Sequence, residues 1–360
     1  MTLDTQTLKF FDIKIGHFPD RSARWLLQNK ENVRGLMEII ASELVDRIDF
    51  DQLTQINRSF IPDTLREQEA DIVFSVPFKQ ESGTDEILIY ILIEHQSTVD
   101  ISMGFRVLYY MTQIWDFQRR EWESRKTPKS EWRFRPILPI VFYTGDLNWK
   151  NPLTLDPIID IPEGLSRFIP RFETLFLSVK ETDETELTKK GHPFGWLLTI
   201  LQKEHSNKEM MSKALIDAIA YINYLDSEQG EQLQKAINYF LLLILHQRPA
   251  EEHEELIKLI DQKAPKLEVE TMAKSMADIL EERGIERGIE QGIEQGIEQG
   301  ETRAKQEIVL KLLNIRFENI PDDFSQKVTS IHSISNLDLL IEKVVTAETI
   351  EEIDLHNHTD

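Results

Sequence analysis

The residues best suited to chemistry stand in the stretch "EILIYILIEHQSTVD", Glu86 to Asp100, where seven consecutive apolar residues run straight into Glu94, His95 and Gln96. An apolar run of that length reads as a strand buried on both faces, and a core rejects an unpaired carboxylate. Glu94 therefore needs a partner. The segment "ADIVFSVPF", Ala70 to Phe78, also reads as a strand, and the turn-rich "KQESGTD" makes the two an antiparallel hairpin. With the turn centred between Ser82 and Gly83, Phe78 faces Ile87 and Asp71 faces Glu94. Directly opposed residues have Cβ atoms about 4.5–5.5 Å apart, and two carboxylates there repel unless something positive lies between them. Such a pair suits Mg2+ (or Mn2+), a cation that takes oxygen ligands and keeps several waters. Gln96 points to the same face as Glu94. Asp71, Glu94 and Gln96 thus form a candidate metal centre; the other reading is that the two carboxylates merely end their strands in solvent.

The chemistry such a centre supports is phosphodiester hydrolysis. The metal lowers the pKa of a bound water, polarises the scissile phosphate and offsets charge in the transition state. Gln96 cannot act as a base, but it can position the water. His95 points to the opposite face, which suits a hydrogen-bonded structural histidine. Arg106 and Tyr110, one helical turn apart, can reach a substrate phosphate, or Arg106 can pair with a carboxylate of the site. Asp100 shapes the turn and caps the next helix.

The elements that must position these residues follow from periodicity. Helical spacing predicts a helix over Arg21 to Arg47 with an interruption near Asn32. "LTQINRSFI", Leu53 to Ile61, reads as a first strand, the hairpin gives the second and third, Ile101 to Trp122 gives a helix, and "PILPIVFYTG", Pro136 to Gly145, gives a fourth strand. Helices against a small mixed sheet give an α/β (α+β) fold. The expected divisions are residues 1–180 for this domain, a helical region 181–280, the repeat at 281–303 and a small helical module at 304–360.

The repeat "GIERGIEQGIEQGIEQGE" places Gly and Ile at a strict period of four. On a helix the Ile stripe winds slowly around the axis and is a candidate partner surface, so a homo-oligomer is expected. Each Gly costs about 1 kcal/mol relative to Ala, and a low-complexity linker is the competing reading.

A net charge of −22 argues at face value against a nucleic-acid partner. Residues 1–150, however, hold 19 Lys+Arg against 23 Asp+Glu, so most of the acidity lies further on. Within that part, Arg119 to Arg135 holds seven basic and three acidic residues with Trp122, Trp132 and Phe134 interleaved. Arg119, Arg120, Arg125 and Lys126 are the candidate phosphate contacts for DNA; a solvated helix end is the bland reading. With no cysteine, the sequence offers no disulfide, thiolate nucleophile or cysteine zinc site. The opening residues lack a signal-peptide pattern and the apolar runs are too short to span a bilayer, so a cytoplasmic protein with no membrane partner is expected.

The order helix, three strands, helix, strand, with Asp71, "LIEHQS", "MGFRVLYYM" and "PILPIVFYTG", resembles the PD-(D/E)xK nuclease superfamily and its αβββαβ restriction-endonuclease-like core. More closely, it is similar to the bacterial recombination-promoting nuclease/putative transposase family over about residues 10–160. The segment from about Glu307 to Glu352 resembles a short helical domain of unknown function found at the end of such proteins. The resemblance implies a Mg2+-dependent DNA endonuclease acting in recombination or mobile-element biology. Asp71 and Glu94 would hold the metal, Gln96 would stand where Lys is usual, and an acid of the first helix, Glu43 or Glu38, would join them. Two departures, Ala70 in place of Pro and Gln96 in place of Lys, keep open a nuclease-fold DNA-binding or scaffold protein without turnover.

Overall fold

In the computed structural model the described residues are 18–56, 72–79, 86–225, 231–317, 320 and 322–353. The chain divides into two compact units between Ala277 and Asp278. Residues on both sides of the expected division at 180/181 fall in the first unit.

Five strands form one sheet in sequential order: β1 (Thr54–Gln55), β2 (Ile72–Lys79), β3 (Glu86–Gln96), β4 (Ile137–Tyr143) and β5 (Leu175–Ser178). The pairs β1/β2 and β2/β3 are antiparallel, and β3/β4 and β4/β5 are parallel. The hairpin register runs from Ile72 opposite Ile93 to Phe78 opposite Ile87, as expected from the turn. The parallel β3/β4 pair needs a crossover, which is helix α4 (Met103–Ser124), named after α1 (Phe18–Leu27), α2 (Lys30–Ile40) and α3 (Ser42–Val45).

Both faces of β3 are covered, which explains its unbroken apolar run. Tyr90 and Leu92 join Val73, Ile137 and Val141 against Met103, Val107, Tyr110, Met111 and Ile114 of α4. The alternate residues Ile89, Ile91 and Ile93 are buried on the other face, where α1 packs on β3 and Phe142 of β4 meets Phe194 with ring centroids 6.4 Å apart. Phe194 belongs to α6 (Pro193–Gln202), which follows the short α5 (Glu184–Thr188) and precedes α7 (Lys208–Leu225), α8 (Glu231–Gln247) and α9 (Ala250–Lys263). The expected helical texture beyond about residue 180 is therefore met. A buried ion pair ties this region to the sheet: Lys180, just past β5, donates to Glu204 Oε1 at 2.7 Å and to Leu201 O at 2.9 Å.

Several expected elements are corrected. The first helix breaks at Asn29, whose Oδ1 accepts the Glu31 N–H at 3.0 Å and so caps α2. Asn32 lies inside α2, where its amide donates to Leu26 O at 2.8 Å. The first strand is only two residues long: Leu53 and Ile56 flank it outside the strand, and residues 57–61 of its expected span fall outside the described residues. The expected first residues of the second strand, Ala70 and Asp71, also lie outside them. The four-residue β5 was not expected from the sequence. At the end of β4, a Cβ at Gly145 would approach Ser97 O to 2.2 Å, so the strand's exit needs glycine.

The helix α10 (Val269–Arg316) carries the whole repeat. In the second unit, Val309 and Leu313 of α10 pack with Val328 of α11 (Asp322–Ser330) and with Leu337, Leu340 and Val344 of α12 (Ile334–Thr346).

Candidate active site

Strand alternation puts Glu94 and Gln96 on the same face as Leu92, the face that α4 covers. Glu94 is fully buried. A carboxylate taken out of water loses several kcal/mol of hydration unless a charge or donors replace it, and here two groups converge on it. The Gln96 amide donates to Glu94 Oε1 at 2.8 Å, and Arg106, one turn into α4, donates to the same oxygen at 2.5 Å. The second carboxylate oxygen, Oε2, is buried and has no hydrogen-bond partner among the described residues.

Arg106 also holds Asp100 Oδ2, at 3.0 Å. The other Asp100 oxygen accepts the backbone N–H of Ser102 at 2.8 Å and its hydroxyl at 2.7 Å. Burial pushes the Asp100 carboxyl up, but hydrogen bonds from Ser102 and Arg106 outweigh it and hold the group below the ordinary carboxylate range. The N-cap of α4 is Ser102, and Asp100 braces that cap from two residues before it. The result is a chain, Gln96 to Glu94 to Arg106 to Asp100, that anchors the end of β3 to the start of α4. Sequence reasoning had both outcomes for Arg106 and missed Asp100 as its second partner.

His95 faces the other way, as expected. Its Nε2 lies 2.8 Å from Thr144 Oγ1, and the residue is buried. Asp71 lies outside the described residues. Glu43 is exposed on α3. Shortly after it, Ile48 bridges Phe78, seven strand positions and so about 23 Å from the row of Glu94. Glu38 pairs with Arg34 at 3.2 Å. Among the described residues no group of three or more His, Asp and Glu side chains could hold a metal ion.

The basic segment is more neutral than its composition suggests. Arg119 pairs with Asp116 and Glu123 at 2.7 and 2.8 Å, Arg120 with Asp116 at 3.0 Å, and Arg125 with Glu121 at 3.1 Å. These are solvent-accessible pairs between neighbouring turns of one helix, a kind that contributes little to stability. Lys126 follows the helix end with a positive φ of 55°. The interleaved aromatics pack on one another: Trp122 stacks on Trp132 at 5.5 Å and meets Phe134 edge-on at 5.1 Å.

No helix among the described residues is long and apolar enough to cross a membrane. Residues 18–234 match the family described as "Putative transposase, YhgA-like". Over 222 residues the chain is 27% identical to the recombination-promoting nuclease RpnD of Escherichia coli O157:H7, a match covering 60% of this chain and 78% of that protein. It is 26% identical over 225 residues to the recombination-promoting nuclease RpnC of Escherichia coli K12, covering 62% and 69%. It is likewise 26% identical over 219 residues to the inactive recombination-promoting nuclease-like protein RpnE of the same strain, covering 59% and 66%. No solved structure matches the chain.

Proposed function

The chain belongs to the YhgA-like putative transposase family, and from that premise we propose that it is a divalent-cation-dependent DNA endonuclease whose site is centred on Glu94. The observation that carries the reading is the second oxygen of Glu94, buried without a partner among the described residues while Oε1 takes two donors. An orphaned anionic oxygen at zero exposure has the chemistry of a ligand awaiting a cation. Asp71 is assigned the second carboxylate, because one further step of the Ile72–Ile93 register would set it opposite Glu94. The αβββαβ core of the PD-(D/E)xK nucleases is the architecture this assignment adopts, and the sheet order and the α4 crossover support it.

The chain's own groups then have distinct parts. Glu94 and Asp71 would hold Mg2+ or Mn2+, which when bound supplies an activated water and offsets charge on the phosphate. Gln96, already tied to Glu94, orients the carboxylate and can hold a water, but takes no proton. Arg106 sets a positive charge beside Glu94 and is the proposed contact to a phosphate. The arginines near the end of α4 and Lys126 are the proposed backbone contacts of DNA. Relatives named as recombination-promoting nucleases support action in recombination.

A second reading is favoured by one observation: Arg106 neutralises Glu94 as a metal would, which suits a nuclease fold retained for DNA binding without turnover. Incubating supercoiled plasmid with the full chain separates the two. Nicked or linear product with Mg2+ or Mn2+, suppressed by EDTA, is expected of the endonuclease. DNA binding without product under either cation leaves the inactive reading standing.

A further inference from the structure

The repeat in α10 presents an apolar face that no described residue of the chain covers. Ile285, Ile289 and Ile293 are each 58% exposed and Ile297 is 65% exposed. A Cβ added at Gly284, Gly288, Gly292, Gly296 or Gly300 would meet nothing within 4 Å. Five glycines in one helix weaken it, and none is required by a close approach within the described residues. Glycine and isoleucine at the same spacing supply what a second helix needs: bulk on one row, and on the next a groove that lets backbones approach.

The geometry points to a parallel pairing of this helix with a second copy of the chain. At about 100° per residue, the glycines one before and three after each Ile lie about 100° and 60° behind it, so the Gly row flanks the Ile row on one side. Glu286 and Glu298 flank it on the other side, and Arg283, Gln295 and Gln299 lie opposite. In a parallel pair about a two-fold axis, the leading flank of one helix meets the trailing flank of the other. Each Ile then lies over the partner's Gly row, and the two Glu flanks lie on opposite sides of the pair. An antiparallel pair would set Ile on Ile and Glu against Glu, which joins poor packing to charge repulsion. The four-residue period overshoots a helical turn by about 40° per repeat, so the two helices would cross in a right-handed sense. This inference is independent of the phosphodiester reading.

The chain contains no cysteine, so a single introduced thiol reports on orientation without background. Full-length Ile285→Cys and Ile297→Cys, oxidised separately, should each give a disulfide-linked dimer, and the wild type should show twice the monomer mass in light scattering. Replacing Gly288, Gly292 and Gly296 by Gln should raise helicity yet lower the mass toward monomer, because the groove is filled. Linkage only in a mixture of the two cysteine variants would overturn the parallel arrangement. A monomeric wild type, or an undiminished mass in the Gln variant, would overturn the pairing itself.

Discussion

Arg106 reaches Glu94 at 2.5 Å and Asp100 at 3.0 Å, so one guanidinium of α4 joins the two carboxylates that bracket the turn after β3. Glu94 is fully buried, and the Arg106 side chain is 18% exposed. The cation therefore does the work that hydration does for a surface glutamate.

Removing it should be costly. Arg106→Ala leaves a buried carboxylate held only by Gln96, and breaking one side of such a pair typically costs about 3–5 kcal/mol. The double variant Arg106→Ala/Glu94→Gln should recover much of that loss, since the fully buried carboxylate is gone and only the partly exposed Asp100 has lost its cation. Urea unfolding of the two singles and the double checks this; additive losses would mean that the contact carries little.

Divalent cation should partly replace the missing guanidinium. Adding Mg2+ or Mn2+ should raise the Tm of Arg106→Ala more than that of the wild type, because a ligand that binds only the folded state stabilises it. Equal shifts would place the cation away from Glu94.

His192 predicts an acid sensitivity outside the candidate site. Burial lowers its pKa below the ordinary 6.5, outweighing Glu38 and Glu31, which raise it. Its Nδ1 caps α6 by accepting the Phe194 N–H at 3.1 Å, a bond that a protonated ring cannot make at that atom. Gly35 makes room, since a Cβ there would approach that nitrogen to 2.3 Å. With the folded value depressed, the unfolded chain binds the proton first, so stability is full above about pH 6.5 and falls as the pH drops toward the folded value. His192→Asn keeps a capping acceptor and does not titrate. Its urea midpoint should therefore vary less than that of the wild type between pH 7.5 and 5.5, and identical slopes would contradict the assignment.

DNA binding should depend on the end of α4. Replacing Arg119, Arg120, Arg125 and Lys126 by Ala should weaken binding and flatten its dependence on salt by up to about four phosphates' worth of counterion release. Because Asp116 engages two of these arginines, Asp116→Asn should strengthen binding. An unchanged salt slope in the quadruple variant would put DNA elsewhere.

The hairpin was legible because a period of two and a turn between two apolar runs leave one register that buries both strands. The break between α1 and α2 was less so, since Asn29 and Asn32 are the same residue type and only the structure separates a cap from a buried donor to Leu26. The four-residue "LFLS" of β5 carries too little pattern to stand out and exists through its pairing with β4. In the candidate site, the face shared by Glu94 and Gln96 was readable from alternation. That Arg106 and Asp100 close on it depends on where α4 crosses the sheet, which no local pattern states.

The account rests on Glu94 as the anionic centre of a cation-dependent nuclease, and one substitution tests that directly. Glu94→Gln keeps the shape of the side chain and removes the charge. Purified alongside the wild type, shown to be folded by circular dichroism and assayed on supercoiled plasmid with Mn2+, it should cut at least about 100-fold more slowly, the scale expected when a charge-stabilising group is lost. Cleavage by Glu94→Gln at the wild-type rate would contradict the assignment.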